Sequence, residues 1–186
     1  MTGSATNALI FIIQSFAQLY ILILLLRLLL PLLRANFNNP LAQVILRATS
    51  PLVVPLRRII PAIGRLDTAT FIIAFGIQYL TILIIAALRS WPLDVMPIAV
   101  TAIVNLVSMT VWLFIIAIII RIIMSWMGGG AYNPAMGLID SIAEPALRPA
   151  RRLIRPAGGI DLSPYVTIIM LIALTMLLRG LKMLPI

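Results

Sequence analysis

The chain contains no cysteine and no histidine, and its 186 residues include only 5 acidic side chains. Each absence excludes a kind of chemistry. Without Cys there are no disulfides, thiol nucleophiles or thiolate metal sites, and without His there is no imidazole ligand for metal or haem and none of the commonest general base. Charged residues make up 10% of the chain and hydrophobic ones 62%, against about 25% and about 45 to 50% in a soluble domain. So little charge cannot cover a water-soluble fold of this size, and the composition specifies an integral membrane protein. The charge that is present is mostly of one sign, 14 Lys and Arg, 13 of them Arg, for a formal net charge of +9. In a membrane protein such an excess bears first on topology. The basic residues are dispersed without aromatic interleaving, so no nucleic-acid partner is expected. No cofactor site and no catalytic constellation emerge, and no enzyme activity is expected.

What is abundant is Leu, Ile, Val, Ala and Met, gathered in four charge-free tracts from Met1 to Leu26, Thr68 to Leu88, Val95 to Ile120 and Leu162 to Leu178. A membrane span needs about 20 apolar residues. Helices are predicted near 8–32, 68–89, 96–126 and 163–181, the last reaching spanning length only if Arg179 snorkels to the interface. The first tract has no basic leader and no small-residue cleavage site, which predicts a retained helix and not a removed signal peptide. Trp91, Trp126, Tyr132 and Tyr165 fall near predicted helix ends, as interfacial aromatics do. Arg27, Arg34, Arg47, Arg57, Arg58, Arg65, Arg121, Arg148, Arg151, Arg152 and Arg155 lie in or beside the two long connections, whereas only Arg89, Arg179 and Lys182 lie on the other side. The positive-inside rule then predicts cytoplasmic connections and outward-facing termini, with the inner membrane of a bacterium as the simplest location.

Shifted by 94 residues, the sequence aligns with itself without a gap. Asn39-Pro40 falls on Asn133-Pro134, Pro51 on Pro145, Pro55 on Pro149, Arg57-Arg58 on Arg151-Arg152, Gly64 on Gly158 and Asp67 on Asp161, with Arg27 on Arg121 upstream. Between Asn39 and Asp67, 10 of 29 positions are identical. The chain therefore reads as two units, 1–94 and 95–186, each with two spans, crossing the bilayer in the same sense. Between the spans, Asn39 and Asn133 are placed as N-caps with Pro40 and Pro134 at the first helical position. Leu41, Val44, Ile45 and Ala48 form an apolar stripe, and a second short helix is predicted to start at Pro51 with Ser50 as its cap. The interfacial or re-entrant helices occupy about 40–62 and 134–156, apolar on one face and cationic on the other. Gly64 and Gly158 end them, and Asp67 or Asp161-Leu162-Ser163-Pro164 caps the next span.

The order Asn-Pro, then Pro-x-x-x-Pro-x-Arg-Arg-x-Ile, then Gly-x-x-Asp-x-Ser-Pro resembles the YggT (YlmG-like) family of small bacterial and plastid membrane proteins. The nearest match runs from Glu144-Pro145-Ala146-Leu147-Arg148-Pro149 through Arg151-Arg152-Leu153-Ile154-Arg155-Pro156 to Gly158-Gly159-Ile160-Asp161-Leu162-Ser163-Pro164. In the first copy Arg65 replaces the second Gly, and Thr68-Ala69-Thr70 replaces Leu-Ser-Pro. The resemblance implies an all-α membrane protein of four spans in two tandem repeats, without established enzyme activity. Members are linked to osmotic tolerance, to cell division or nucleoid organisation and, in plastids, to haem attachment. Any haem-related role here would be a scaffold's, because a Met ligand would lack a His partner.

Arg57, Arg58, Arg148, Arg151, Arg152 and Arg155 are the candidate site. Three readings of them are open: topogenic anchoring, docking to anionic lipid headgroups, and recognition of an acidic protein partner; separately, the partners to expect are membrane lipids and a membrane protein or a second copy of the chain. Asp67 and Asp161 read as caps, with pairing to the nearby arginines as a further role. Gln14, Gln18, Gln78, Asn105 and Ser108 are the polar residues inside the spans, and Gln14 and Gln18 share a face suited to interhelical hydrogen bonding. With no ionisable group expected inside the spans, proton-coupled transport is disfavoured. Gly128-Gly129-Gly130 lacks the strand and Lys-Ser/Thr of a phosphate loop and reads as a flexible exit from the third span.

Overall fold

A computed structural model describes residues 2–126, 133–153 and 161–185. The described residues form six helices and no strand: α1 (Thr2–Leu32), α2 (Pro40–Arg57), α3 (Thr68–Leu88), α4 (Val95–Trp126), α5 (Pro134–Leu153) and α6 (Ser163–Gly180). Four of them, α1, α3, α4 and α6, are long and apolar enough to cross a bilayer. The order span, connecting helix, span occurs twice, as the 94-residue shift predicts. The spans begin and end close to the predicted positions, apart from α1, which starts at Thr2.

Local chemistry explains the ends. At α1 the Arg34 N–H bonds the Pro31 carbonyl and the Ala35 N–H bonds the Leu30 carbonyl, while Arg34 takes the left-handed conformation at φ +56°. This is a Schellman stop, in a position that usually takes glycine. The Asn39 side chain accepts from the Leu41 N–H at 2.9 Å with Pro40 at the first position of α2, and Asn133 accepts likewise from the Ala135 N–H at 2.9 Å. Both predicted caps are present.

The connecting helix of the first half differs from expectation in three ways. It is one helix, not two, since α2 runs through Pro51 and Pro55. Both prolines, with Arg47 one turn before, lie on the exposed face, so the carbonyls that lose a donor face outward where water or headgroups can satisfy them. Ser50, placed as a cap, instead donates to the Leu46 carbonyl within the helix. The helix also ends at Arg57, and Gly64 serves a tight turn: at φ +60° it lets Ile63 and Leu66 exchange two backbone hydrogen bonds of 3.1 and 3.0 Å. Gly158 and Arg155 lie outside the described residues, as do Tyr132 and the Gly128–Gly130 run.

The seam that α2 buries is Ala42, Ile45, Thr49 and Val53. Of the predicted apolar stripe, Ile45 is buried and Leu41, Val44 and Ala48 are exposed. Ala42 and Thr49 on the inner face let α2 approach its neighbours closely. α5 buries Leu138, Ile142, Ala143 and Leu147. These meet Leu30, Ala42, Ile45, Ala117 and Ile118 in one cluster, so both connecting helices pack on the ends of α1 and α4. Deeper in the bundle, Ile21, Leu24 and Leu28 of α1 pack with Ala69 and Ala74 of α3 and Leu106 and Leu113 of α4. Two ends result, a connection end that holds α2 and α5 and an opposite end that holds the α3–α4 turn.

Candidate functional site

The connection end holds most of the charge, and part of it forms two clusters related by the 94-residue shift. In the first, Arg27 lies five residues before the end of α1 and is 5% exposed. Its Nη1 donates to Thr49 Oγ1 at 2.8 Å, to the Leu46 carbonyl at 3.2 Å and to Ser50 Oγ at 3.4 Å. Its Nε lies 3.7 Å from Asp67 Oδ2, and Arg57 approaches the same oxygen at 3.8 Å from the other side. Asp67 caps α3 as expected, accepting from the Thr70 N–H at 3.4 Å, and is itself buried. A span was expected to hold no charge. Here a buried arginine sits inside α1, tolerated because a buried carboxylate and two hydroxyls face it.

In the second cluster Arg121, five residues before the end of α4, is 24% exposed. It pairs with Asp140 Oδ1 at 3.0 Å and Glu144 Oε2 at 2.7 Å. Glu144 also takes Arg151 at 3.0 Å and Arg148 at 3.7 Å, and Arg151 reaches Asp161 Oδ2 at 3.1 Å. The Asp161 Oδ1 accepts from the Ser163 N–H at 2.9 Å, but the N-cap position of α6 is Leu162, so Asp161 lies one residue before the cap it was expected to be; Pro164 occupies the first turn. The hydrogen bond from Arg121, helped by Arg151 and Arg148, holds the Glu144 carboxyl below its ordinary range. Hydrogen bonding by Ser163, then by Arg151, lowers Asp161 in the same sense. Two open clefts flank this network. One of about 410 Å³ is lined by Arg121, Arg151 and Asp161, and one of about 650 Å³ by Arg34, Arg121, Asp140, Glu144 and Arg148.

The five candidate arginines among the described residues therefore divide. Arg57, Arg148 and Arg151 are tied to carboxylates, while Arg58 and Arg152 are exposed and have no carboxylate partner among the described residues. Exposed Arg34, Arg47 and Arg65 at the same end are unpaired in the same sense. Arg27, Arg121, Asp140 and Glu144 are the residues that sequence reasoning passed over as a site. The signal for two of them was present, in that Arg27 and Arg121 repeat 94 residues apart inside otherwise charge-free helices. The two clusters are joined by Asn39, whose Nδ2 donates to the Pro134 carbonyl at 2.6 Å and so links the start of α2 to the start of α5.

At the opposite end, Gln14, Gln18, Gln78, Asn105 and Ser108 do meet, but not as interhelical hydrogen-bond partners. They line a polar groove of about 250 Å³ with Trp112, Thr175, Arg179 and Lys182. Among the described residues no hydrogen bond joins these amides to one another, and Gln78 Oε1 and Ser108 Oγ have no partner.

Comparison with known proteins agrees with this two-part plan. The profile of the CCB3/YggT family matches residues 6–99 and, a second time, residues 100–182. An uncharacterised protein of Pseudomonas aeruginosa is 42% identical over 179 residues, which cover 95% of this chain and 90% of that protein. The uncharacterised protein YggT of Escherichia coli K12 is 32% identical over 171 residues, 91% of this chain and 88% of the relative. A Vibrio alginolyticus protein, named for its place in the proC 3′ region, is 34% identical over 166 residues, 88% of this chain and 89% of its own length. No solved structure matches. With two profile matches in tandem and relatives aligned over nearly their whole length, the chain belongs to the CCB3/YggT family.

Proposed function

We propose that the protein is a non-enzymatic scaffold of a bacterial inner membrane whose connection end faces the cytoplasm and docks anionic lipid headgroups or an acidic protein partner. The carrying observation is the division of labour within each Arg pair. Arg57 and Arg151 are held by Asp67 and Asp161. Their neighbours Arg58 and Arg152 are left exposed and uncompensated. An arginine near an anionic leaflet contributes about 1 kcal/mol, and its planar fork suits phosphate and carboxylate alike. The ion pairs fix the platform, and the free members are its contacts. The excess of Arg at this end supports the orientation through the positive-inside rule.

The test is native mass spectrometry of the purified chain with cardiolipin or phosphatidylglycerol. R58Q/R152Q should retain less anionic lipid than the unsubstituted protein, and equal retention would remove the docking role. Orientation is checked separately. The chain has no native cysteine, so A62C should be shielded from an impermeant thiol reagent in whole cells, and labelling there would reverse the topology. A second reading, a permeability component assembled from several copies, draws on the polar groove at the opposite end. Ion flux in proteoliposomes above that of empty vesicles would favour it over a scaffold.

A further inference from the structure

An apolar groove lies where α2 runs against α3, apart from both ionic clusters. It is open and about 510 Å³ in volume. Leu52, Pro55, Leu56 and Ile59 form one wall, the Ile59 N–H still bonding the Leu56 carbonyl as the chain leaves α2. Ile73, Gly76, Ile77 and Leu80 of α3 form the other. Both sets follow the spacing i, i+3, i+4, i+7, so each is one continuous helix face, and the two faces enclose a single furrow. Neither set contains a polar side chain, so nothing in the furrow can orient a polar ligand.

Gly76 leaves the furrow open. It lies within α3, and a β-carbon placed on it finds no packing partner within 4 Å. Neither the backbone nor a neighbouring side chain requires glycine there. Under the 94-residue shift its place is taken by Met170, while the wall residues Leu52 and Leu56 become Ala146 and Ala150. Tall walls around an empty position therefore belong to the first half of the chain, and the second half has the reverse.

One end of the furrow carries charge. Arg58 stands between Leu56 and Ile59 in the chain, and with consecutive Cα atoms about 3.8 Å apart its side chain starts at the rim. It is exposed and has no ion pair among the described residues, whereas Arg57 beside it is engaged by Asp67. From Ile73, in the second turn of α3, the other wall continues about 10 Å along the helix to Leu80.

We propose that the furrow seats one acyl chain of a single anionic phospholipid whose phosphate is held by Arg58. This rests on the reading of Arg58 as a headgroup contact and gives that contact a lipid class and a place. A phospholipid brings the apolar filler and the negative charge at its end in one molecule. An acidic peptide brings the charge without the filler. A span of a second copy brings filler without the charge, because none of the four spans contains an acidic residue.

The experiment places the full chain in liposomes with phosphatidylglycerol that bears a diazirine midway along one chain, and maps the cross-linked positions by mass spectrometry. Label should concentrate on 52–59 and 73–80. Phosphatidylcholine with the same diazirine should label them about fivefold less, the factor that one arginine beside an anionic headgroup is worth. R58Q should abolish that preference, and G76M, whose side chain enters free space and leaves the fold intact, should reduce the labelling of both walls by either lipid. Label spread evenly over the spans would overturn the seat, and if R58Q/R152Q still loses retained lipid, headgroup docking would survive that result. Equal labelling by the two lipids would remove Arg58 from the site and overturn the proposal as well. So would a disulfide-linked dimer through G76C, readable because the chain has no native cysteine, since it would give the furrow to a second copy.

Discussion

The same arginine, repeated 94 residues apart and placed five residues from the end of a span, is used in two different ways. Arg27 is sealed against a buried aspartate and two hydroxyls. Arg121 sits in a half-buried network of three carboxylates that also engages Arg148 and Arg151. The alignment shows the cause. Ser50 in the first half is Glu144 in the second, Leu46 is Asp140 and Thr49 is Ala143. Removing two carboxylates forces the first arginine to bury itself beside the one that remains, whereas adding them lets the second stay at the surface among exchangeable partners. A buried charge pair is expensive to break because the survivor is stranded, while an exposed network yields little when one member goes. The first half is thus a lock and the second an open, ionic surface facing two clefts.

The largest effect expected is from D67N. It leaves the Arg27 charge buried without an anion and should cost about 3 to 5 kcal/mol, read as a large fall in unfolding temperature in detergent. A loss below that of a surface pair would break the contrast. T49V keeps the shape but removes the acceptor 2.8 Å from Arg27. It should cost about 1 kcal/mol, because the shortest of three acceptors is lost while the Leu46 carbonyl and Ser50 Oγ still face the guanidinium. E144Q should cost about 1 kcal/mol or less, since its partners remain hydrated.

Acid sharpens the same comparison. Glu144 and Asp161 titrate below their ordinary range in the folded protein. Their contribution is therefore complete above the unfolded values near pH ~4 and is lost as pH falls through the depressed folded ones. The unsubstituted protein should lose stability on acidification below about pH 4, and E144Q/D161N should lose the part of that slope owed to these two groups. The smallest change expected is a gain. Arg34 takes a left-handed conformation at the position where the second half has Gly128. R34G should stabilise by about 0.5 kcal/mol, the relief of backbone strain less the added freedom of glycine.

The spans were legible because about 20 apolar residues without charge have few other uses, and the caps because Asn-Pro states both the side chain and the φ a helix start requires. The inward face of α2 was not. In a bilayer both faces of a helix are apolar, so hydrophobicity no longer separates protein from surroundings. Nor does size, since Ala42, Ile45, Thr49 and Val53 form the seam while Val44, Ala48 and Val54 face outward. The continuity of α2 through Pro51 was hidden for a related reason, since whether a proline breaks a helix depends on which way its orphaned carbonyl faces. Capping by Asp67 was readable, but its pairing with Arg27 joins residues 40 positions apart. Only the recurrence of both members one repeat later pointed to it. The polar groove was present in the sequence as Gln14, Gln18, Gln78, Asn105 and Ser108. They line one groove from three different helices without bonding one another, which no local pattern records.

The most direct test of the lock and the open surface is a pair of double-mutant cycles by thermal or denaturant unfolding in detergent, Arg27→Met with Asp67→Asn in the first half and Arg121→Met with Glu144→Gln in the second. The account predicts a coupling of about 3 kcal/mol for the first pair and below about 1 kcal/mol for the second. Equal couplings, or a larger one in the second half, would contradict it.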